Sequence, residues 1–360
     1  MKHFPVRIAS FVATMLLLAA CGGATAAPAS SPASSSRAAG SAAPASASPA
    51  PSAVKVNFHL PSRSTSYLPW YIAQEKGFFK EQNLTVDFVQ ANSTVGIDSL
   101  ISGETQFTGA ASAAMAAVGK GAALKTIFIE SARANYWLTA KPGIKSLADL
   151  KGKTIVTPNI GNGDTYYRLA AAALKKAGLD PTKDVQFIGA GSAGGGSGDV
   201  LVTALVAGRA DAMVGNILQR LAAEAQGFTT IHSFADDSAD LQGGIATSDK
   251  LLSSQPDEVR RFLIAGVKGM RVMAADPATS VAVTLKYVQL KQEDAQKALE
   301  IVTPLMTKDG LVTSEQAKEG LDSIRQGVDM PASVTPDTAF TFAPLQEAIK
   351  TVDASGWKPS

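Results

Sequence analysis

The sequence has almost none of the residues that build disulfide frameworks and most metal sites. Its 360 residues include one Cys, Cys21, and three His, which are His3, His59 and His232. A single thiol cannot form a disulfide within the chain, and so few thiols and imidazoles exclude cysteine-rich zinc sites and most histidine-based metal cages. We therefore expect neither a bound metal nor a cofactor.

Net charge of either sign is also small, because 33 Lys and Arg stand against 31 Asp and Glu and leave a formal charge of +2. A polyphosphate is held by a strong positive field, so we expect no nucleic-acid partner. Charged residues make up 18% of the chain and hydrophobic residues 46%, which excludes disorder of the whole chain. The length suggests roughly two domains.

The N-terminus has the pattern of an export signal. Lys2, His3 and Arg7 precede the uncharged run IASFVATMLLLAA at 8–20, and Cys21 follows. This run is shorter than the roughly 20 residues that cross a membrane, so the pattern predicts a cleaved signal peptide over 1–20. Leu18-Ala19-Ala20-Cys21 resembles the lipobox of bacterial lipoproteins. That resemblance implies cleavage before Cys21 and acylation of its thiol, for example with palmitate, and hence a lipid anchor on the extracytoplasmic face of the cell membrane.

From Cys21 to residue 53 the chain is almost entirely Ala, Ser, Pro and Gly. Such a segment has no apolar face to bury, so 21–53 is predicted to be a lipidated Cys followed by a disordered tether.

The remaining residues, 54–360, alternate short β-type runs with helical segments, which predicts an α/β fold. Strands are predicted at 55–60, 85–90, 106–110, 125–130, 136–141, 154–159, 185–190, 212–216 and 229–233. Helices are predicted at 71–82, 95–102, 112–119, 165–177 and 199–207, and then at 256–275, 280–290, 292–306 and 314–326, so that the C-terminal part is mainly helical.

An internal similarity suggests two lobes of the same plan. LISGETQFTG at 100–109 and LVAGRADAMVG at 205–215 both read as a helix end, a Gly stop and a short strand. We predict lobe 1 over 54–140 and 246–360 and lobe 2 over 141–245. The two chain crossings between them are expected near 139–143 and 243–247, where residues suited to hinges occur.

The segment YLPWYIAQEKGFFKEQNLTVDF at 67–88 resembles the opening of substrate-binding proteins of ABC importers, in the family that binds aliphatic sulfonates, nitrate, thiamine-precursor pyrimidines and vitamins such as riboflavin. GETQFTGAAS at 103–112, SLADLKGKTI at 146–155 and GRADA at 208–212 agree with it. The resemblance implies a bilobal periplasmic-binding-protein fold of two Rossmann-like lobes, closure of a two-crossing hinge on a small-molecule ligand, and delivery to an ABC permease. We expect a monomer.

Ligands of open α/β sheets bind at the carboxyl ends of strands, where helix N-termini offer free N–H groups. The loops at these ends give the candidate ligand-binding residues Tyr67, Trp70, Ser112, Thr157, Asn159, Gly163, Asp164, Thr165, Tyr166 and Asn216.

Several of these candidates have a structural alternative. Asp164 or Thr165 is equally suited to cap the helix that follows, and Asn216 to form a turn. Tyr67 and Trp70 could line the cleft or pack inside a lobe. In the adjacent pairs Tyr136-Trp137 and Tyr166-Tyr167, the two rings of each pair must face different sides, so at most one ring of each is expected at the cleft. Arg63, the basic side chain in these loops, suits a solvated surface role.

Binding without catalysis is the expected function. Apart from Cys21 the chain has no thiol, His59 and His232 lie in apolar strand patterns, and no nucleophile elbow occurs. The glycine-rich segment 189–198 lacks the Lys-Ser/Thr pair of a phosphate-binding loop and is read as a flexible loop. Rings and amides in the candidate loops favour a vitamin-like heteroaromatic such as riboflavin or a thiamine-precursor pyrimidine. The alternatives are binding of a sulfonate such as taurine, binding of nitrate, and an enzyme that makes a pyrimidine precursor on the same fold.

Overall fold

The computed structural model describes residues 53–161, 164–191, 198–237, 239–288, 290–327 and 330–359. The predictions for the signal peptide, Cys21, the tether and Gly163 lie outside these residues, as does most of the glycine-rich segment. None of the helices in these ranges combines the length and the apolar character that a membrane crossing requires.

The first sheet has five strands in the order β2-β1-β3-β12-β4. β1 pairs in parallel with both β2 and β3, whereas β12 runs antiparallel to β3 and β4. The strands are β1 (Val54–Leu60), β2 (Leu84–Gln90), β3 (Phe107–Thr108), β4 (Leu124–Phe128) and β12 (Ile245–Ser248).

The second sheet repeats this arrangement. Read from the other edge, its order is β8-β7-β9-β6-β10, with β7 parallel to β8 and β9 and with β6 antiparallel to β9 and β10. Its strands are β6 (Trp137–Ala140), β7 (Thr154–Thr157), β8 (Gln186–Gly189), β9 (Ala212–Gly215) and β10 (Thr229–Ser233). The two segments that look alike in sequence therefore occupy equivalent positions, at β3 and β9, in two sheets of the same topology.

In each sheet the antiparallel strand is supplied by chain that has just crossed from the other lobe. The first crossing, 129–136, joins β4 to β6 and contains β5 (Ser131–Arg133), and the second, 234–244, joins β10 to β12 and contains β11 (Ala239–Gln242). β5 and β11 pair antiparallel, so the crossings form a two-stranded hinge. The first crossing predicted at 139–143 is wrong, because Thr139 lies inside β6 and pairs with Met213 in the second sheet.

Residues 305–307, in the C-terminal helical part, are hydrogen-bonded to the first crossing. The Ser131 hydroxyl donates to the carbonyl of Leu305 at 2.7 Å, and the Thr307 N–H donates to the carbonyl of Glu130 at 2.7 Å. The C-terminal helical part therefore contributes to the hinge directly.

Helices cover both sheets. Those before the second crossing are α1 (Leu68–Glu75), α2 (Phe78–Glu81), α3 (Ser93–Ser102), α4 (Ala111–Val118), α5 (Thr165–Lys176), α6 (Gly198–Val206) and α7 (Ile217–Glu224). Those after it are α8 (Asp249–Ser254), α9 (Pro256–Ala275), α10 (Pro277–Val288), α11 (Gln292–Val302), α12 (Ser314–Arg325), α13 (Pro336–Ala339) and α14 (Ala343–Ala354). α11 packs beside α7, where Ala298 and Val302 share a cluster with Ile217, Leu221 and Trp137.

Candidate functional site

The carboxyl ends of β1, β3, β7 and β9 carry the loops in which a ligand site is expected. In the second lobe, the loop after β7 leads into α5. Asp164 is the N-cap of that helix, since its Oδ1 accepts the Tyr167 N–H at 2.9 Å and its Oδ2 accepts the Asn159 N–H at 3.1 Å. The Thr157 hydroxyl donates to the carbonyl of Asn159 at 2.7 Å. These three predicted residues therefore shape the loop, and they hold the start of α5 in place.

Tyr166, at the start of α5, is the centre of a small aromatic and amide cluster. Its ring lies 4.7 Å from that of Tyr136, centroid to centroid, and its hydroxyl is hydrogen-bonded by the side chains of Tyr136 and Asn216. Burial, and then the nearby Asp164, raise the pKa of Tyr166 to about 12, so the phenol stays neutral in the physiological range. Three elements thus meet at one hydroxyl: the first crossing, α5 and the loop after β9.

Asn216 has two roles in this cluster. Its Oδ1 accepts the N–H groups of Leu218 and Gln219 at 3.0 and 3.1 Å, and Gln219 Oε1 accepts the Asn216 N–H at 2.8 Å. This is a complete capping box at the start of α7. The Nδ2 group remains to donate to Tyr166, so the cap and the site depend on the same fixed side chain.

The adjacent ring pairs diverge as their spacing predicts. Tyr136 turns to Tyr166, whereas Trp137 is buried in the cluster between α7 and α11 and lies under the guanidinium of Arg220 at 5.3 Å. Tyr167 packs against Phe187 at 4.6 Å, away from the Tyr166 cluster. The sequence does not decide which ring of the Tyr136-Trp137 pair faces the cleft. The position of Tyr136 beside Tyr166 makes it a candidate site residue.

In the first lobe the two rings at the start of α1 are packed inside. Trp70 is 0% exposed, stacks on Phe262 at 4.7 Å and donates its indole N–H to Glu130 Oε1 at 2.8 Å. Tyr67 is buried and donates its hydroxyl to the carbonyl of Gly109 at 3.0 Å. Of the two alternatives for these rings, the contacts favour packing, and Tyr67 acts by fixing the loop after β3.

Ser112 lies at the exposed start of α4. The N-cap of α4 is Ala110, which provides no side-chain cap, in contrast to Asp164 at α5 and Asn216 at α7. The first turn of α4 therefore depends on other acceptors for its N–H groups. Thr165 lies at the equivalent start of α5, where its hydroxyl is 3.5 Å from Arg168 Nη2.

The two histidines of the folded part have partners within it. His59 is buried, with Nδ1 2.7 Å from the Thr108 hydroxyl and Nε2 3.0 Å from the carbonyl of Ala91, and burial lowers its pKa. His232 Nε2 is 2.8 Å from Asp237 Oδ2. Across the described part of the chain, no cluster of three or more His, Cys, Asp or Glu side chains is placed to hold a metal ion.

Two charged residues at the first crossing were missed by the sequence reasoning, because a single charged residue in a strand pattern carries no signal for a site. Arg133 is an exposed cation on β5. Glu130 is 0% exposed, and its Oε2 atom has no hydrogen-bond partner in the part of the chain that the structure describes.

The chain belongs to the NMT1/THI5 like family, whose model matches residues 64–280. A protein of Brucella abortus (strain 2308) named only as a binding protein is 26% identical over 232 residues, which are 62% of this chain and 69% of that protein. A riboflavin-binding protein, RibY, of Chloroflexus aurantiacus is 25% identical over 289 residues, 76% of each chain.

Among solved structures, the periplasmic aliphatic sulphonate binding protein SsuA of Escherichia coli is similar, with a TM-score of 0.65 and 17% identity over 81% of this chain and 98% of that one. The fold is therefore a periplasmic-binding-protein fold, as the sequence predicts.

Proposed function

We propose that this protein is the extracytoplasmic substrate-binding component of an ABC import system, which captures a small organic solute between its lobes and passes it to a membrane permease. Membership of the NMT1/THI5 like family and the bilobal fold with a two-stranded hinge support this proposal. The solute is a flat, vitamin-like heteroaromatic, with riboflavin ahead of a thiamine-precursor pyrimidine.

The cluster of Tyr136, Tyr166 and Asn216 is the observation that favours a heteroaromatic ligand. It presents two partly exposed rings and a fixed amide at the carboxyl ends of β7 and β9, next to the hinge. Aromatic faces bind flat heterocycles by stacking, and the amide and the phenols add a few directed hydrogen bonds. The similarity to a riboflavin-binding protein over three quarters of both chains supports the same class.

A sulfonate such as taurine, or nitrate, is the second candidate. Two features favour an anion: the start of α4, which has no side-chain cap, and Arg133, which is an exposed cation on the hinge. The structural similarity to a sulphonate-binding protein points the same way at the level of the fold.

The proposed activity is binding without catalysis. His59 and His232 are held by hydrogen bonds to Thr108, the carbonyl of Ala91 and Asp237, and the folded part contains no Cys. The Thr108 hydroxyl lies 2.7 Å from His59 Nδ1, but both side chains are buried inside the first lobe, so this pair is not open to a solute in the way that covalent catalysis needs.

Calorimetric titration of the chain from residue 21, with Cys21→Ser to prevent acylation, tests the ligand class. Riboflavin and an aminopyrimidine are expected to bind, and taurine and nitrate to bind much more weakly. Binding of taurine or nitrate alone would show that the ligand is an anion and not a heteroaromatic. Product analysis after long incubation with the bound solute checks for turnover. Light scattering of the same sample tests the proposed monomer.

We also propose that Cys21 is acylated and anchors the protein at the outer face of the cell membrane. Labelling of cells with a clickable palmitate analogue is expected to mark the wild-type chain and to leave Cys21→Ala unmarked. A labelled Cys21→Ala chain would disprove the anchor.

A further inference from the structure

Glu130 is an acid buried at the point where the chain leaves the first sheet for the second lobe. It lies two residues after the end of β4 and directly before β5, the first strand of the hinge. Its side chain is 0% exposed, Oε1 accepts the indole N–H of Trp70, and Oε2 has no hydrogen-bond partner among the described residues. A buried carboxylate oxygen without a donor is costly, so the packed arrangement favours the neutral carboxylic acid.

The second crossing covers the free oxygen of this acid. Gly243 follows β11 with φ +67°, and a Cβ atom built there would lie 2.8 Å from Glu130 Oε2. The carboxyl group is thus enclosed between the start of α1, which supplies Trp70, and the second crossing, which supplies Gly243. Movement of the second crossing away from the first would open Oε2 to water.

Within the described ranges, no charged side chain offsets the burial of Glu130. Burial raises the pKa of Glu130 to about 8, against an ordinary value of 4.5, although the hydrogen bond from Trp70 lowers it. The titratable group that faces Glu130 from the α1 side is Tyr67, whose own pKa is raised by burial and by the charge of Glu130. Gly243 from the second crossing and Thr307 from the segment after α11 carry no charge.

The charged side chains nearest to Glu130 along these elements are engaged elsewhere or exposed. Arg133 and Lys308 are exposed, and Asp309 pairs with Arg271 at 2.9 Å. The ionised acid would therefore gain its stabilisation from water rather than from a protein cation.

We infer that Glu130 is a positioning residue of the hinge: its neutral carboxyl group lets the two crossings pack together, and its ionisation favours an arrangement in which they separate. One consequence, that solute capture weakens at alkaline pH, rests on the proposed function. The hinge behaviour itself needs no ligand and can be measured without one.

The sign of the pH effect follows from linkage. Below pH 4.5 the acid is protonated in both arrangements, so the packed hinge is fully favoured. Between 4.5 and about 8 only the separated arrangement releases the proton, and the ratio of separated to packed molecules rises by up to about tenfold per pH unit. Above about 8 both arrangements are ionised and the ratio levels off.

The distance between the lobes gives the first test. The exposed residues Val95 on α3 and Val206 on α6 are changed to Cys for spin labels, in the chain from residue 21 with Cys21→Ser, which removes the only native thiol. Measured by pulsed electron spin resonance from pH 5 to 9.5 without solute, the distance distribution is expected to shift between pH 5 and 8 and then stay constant. Glu130→Gln, which keeps the acceptor for Trp70 but cannot ionise, is expected to show no shift.

Glu258→Gln is the matched control. Glu258 is also a buried acid, 4% exposed, with a pKa raised by burial and an oxygen without a partner, but it lies at the start of α9 rather than at the hinge. Its replacement is expected to leave the pH shift of the inter-lobe distance unchanged. Equal pH shifts in wild type and Glu130→Gln, or loss of the shift in Glu258→Gln, would overturn the inference.

Two further measurements apply if Glu130→Gln does not fold. The Trp70 indole N–H resonance, assigned by elimination with Trp137→Phe and Trp357→Phe, is expected to titrate over the same pH range as the inter-lobe distance, with a midpoint no higher than about 8. Its failure to titrate would overturn the inference. In Gly243→Ala the added methyl group meets Oε2 and the backbone is strained at its positive φ, so the separated population is expected already at pH 5. A packed hinge in this variant at pH 5 would contradict the proposed contact.

Discussion

The two lobes share one topology but use their aromatic residues differently. In the first lobe the large rings are interior: Phe58, Trp70, Phe79, Phe107, Phe128 and Phe262 are all fully buried and contact one another. In the second lobe the core is made mainly of Ala, Leu, Ile and Val, with Phe234 as the buried ring of its main cluster. Its tyrosines are instead partly exposed near the hinge and the start of α5.

This difference suggests that the two lobes contribute different kinds of groups to a ligand site, although their topology is the same. Rings fixed in a core cannot turn to a ligand, so the first lobe is expected to contribute backbone groups and small side chains, such as the exposed Ser112, to a ligand site. The second lobe buries Trp137 and Phe234 but keeps Tyr136 and Tyr166 partly exposed, so the Tyr136–Tyr166–Asn216 cluster is available to a solute. Each lobe is therefore expected to respond to ring removal in its own way.

The largest effect is expected for Phe262→Ala in α9. Phe262 stacks on Phe107 at 3.8 Å and on Trp70 at 4.7 Å, so its removal leaves a cavity at the centre of the first core. We expect a loss of about 3–5 kcal/mol in unfolding free energy, measured by urea denaturation.

Hydrogen exchange of the same variant shows where the stability is lost. Peptides from α1, α9 and the first sheet are expected to lose protection, while peptides from α5 and the second sheet keep theirs. Equal loss of protection in both lobes would mean that they unfold as one cooperative unit. The two lobes would then differ in the composition of their cores but not in their stability.

A large effect on binding, with a smaller loss of stability than in Phe262→Ala, is expected for Tyr166→Ala. The ring contributes stacking area and its hydroxyl joins Tyr136 and Asn216, so affinity for the bound heteroaromatic solute should fall about tenfold or more. Isothermal titration calorimetry measures it. Tyr167→Ala is the matched control on the same helix, since Tyr167 packs on Phe187 instead, and it should change affinity less than about twofold. A similar loss in both variants would show that the ring at 166 has no special role.

Much of the fold could be predicted because its signals are local. Nine strands were expected at the positions of β1–β4 and β6–β10, and the helices from α9 to α12 agree closely, because apolar periodicity and Gly stops act within a few residues. The strands β5, β11 and β12 were missed. β5 and β11 are short and are stabilised by pairing with each other, and β12 is inserted into the first sheet by chain returning from the other lobe. Such partners are set by the tertiary fold.

The site was predicted only in part, for a related reason. Strand ends and helix starts can be located from sequence, so Thr157 is found at the end of β7, Asp164 and Tyr166 at the start of α5, and Asn216 directly after β9. Whether a ring faces a core or a cleft depends on what packs against it. Trp70 faces inward because α9 carries Gly266 opposite it, where a Cβ would lie 2.4 Å from the indole.

The smallest effect is expected for the loop that precedes Tyr166. Asp164→Ala removes the N-cap of α5 and the acceptor of the Asn159 N–H, which should cost about 1 kcal/mol in unfolding free energy by urea denaturation. Asp164→Asn keeps one oxygen for the Tyr167 N–H and should recover most of this loss. Because the cap holds the start of α5, its loss should also displace Tyr166 and lower the affinity for the solute. This loss of affinity should be smaller in Asp164→Ala than in Tyr166→Ala. If Asp164→Asn loses as much affinity as Tyr166→Ala while remaining stable, the carboxylate itself contacts the solute, and the second lobe then binds by charge as well as by its rings.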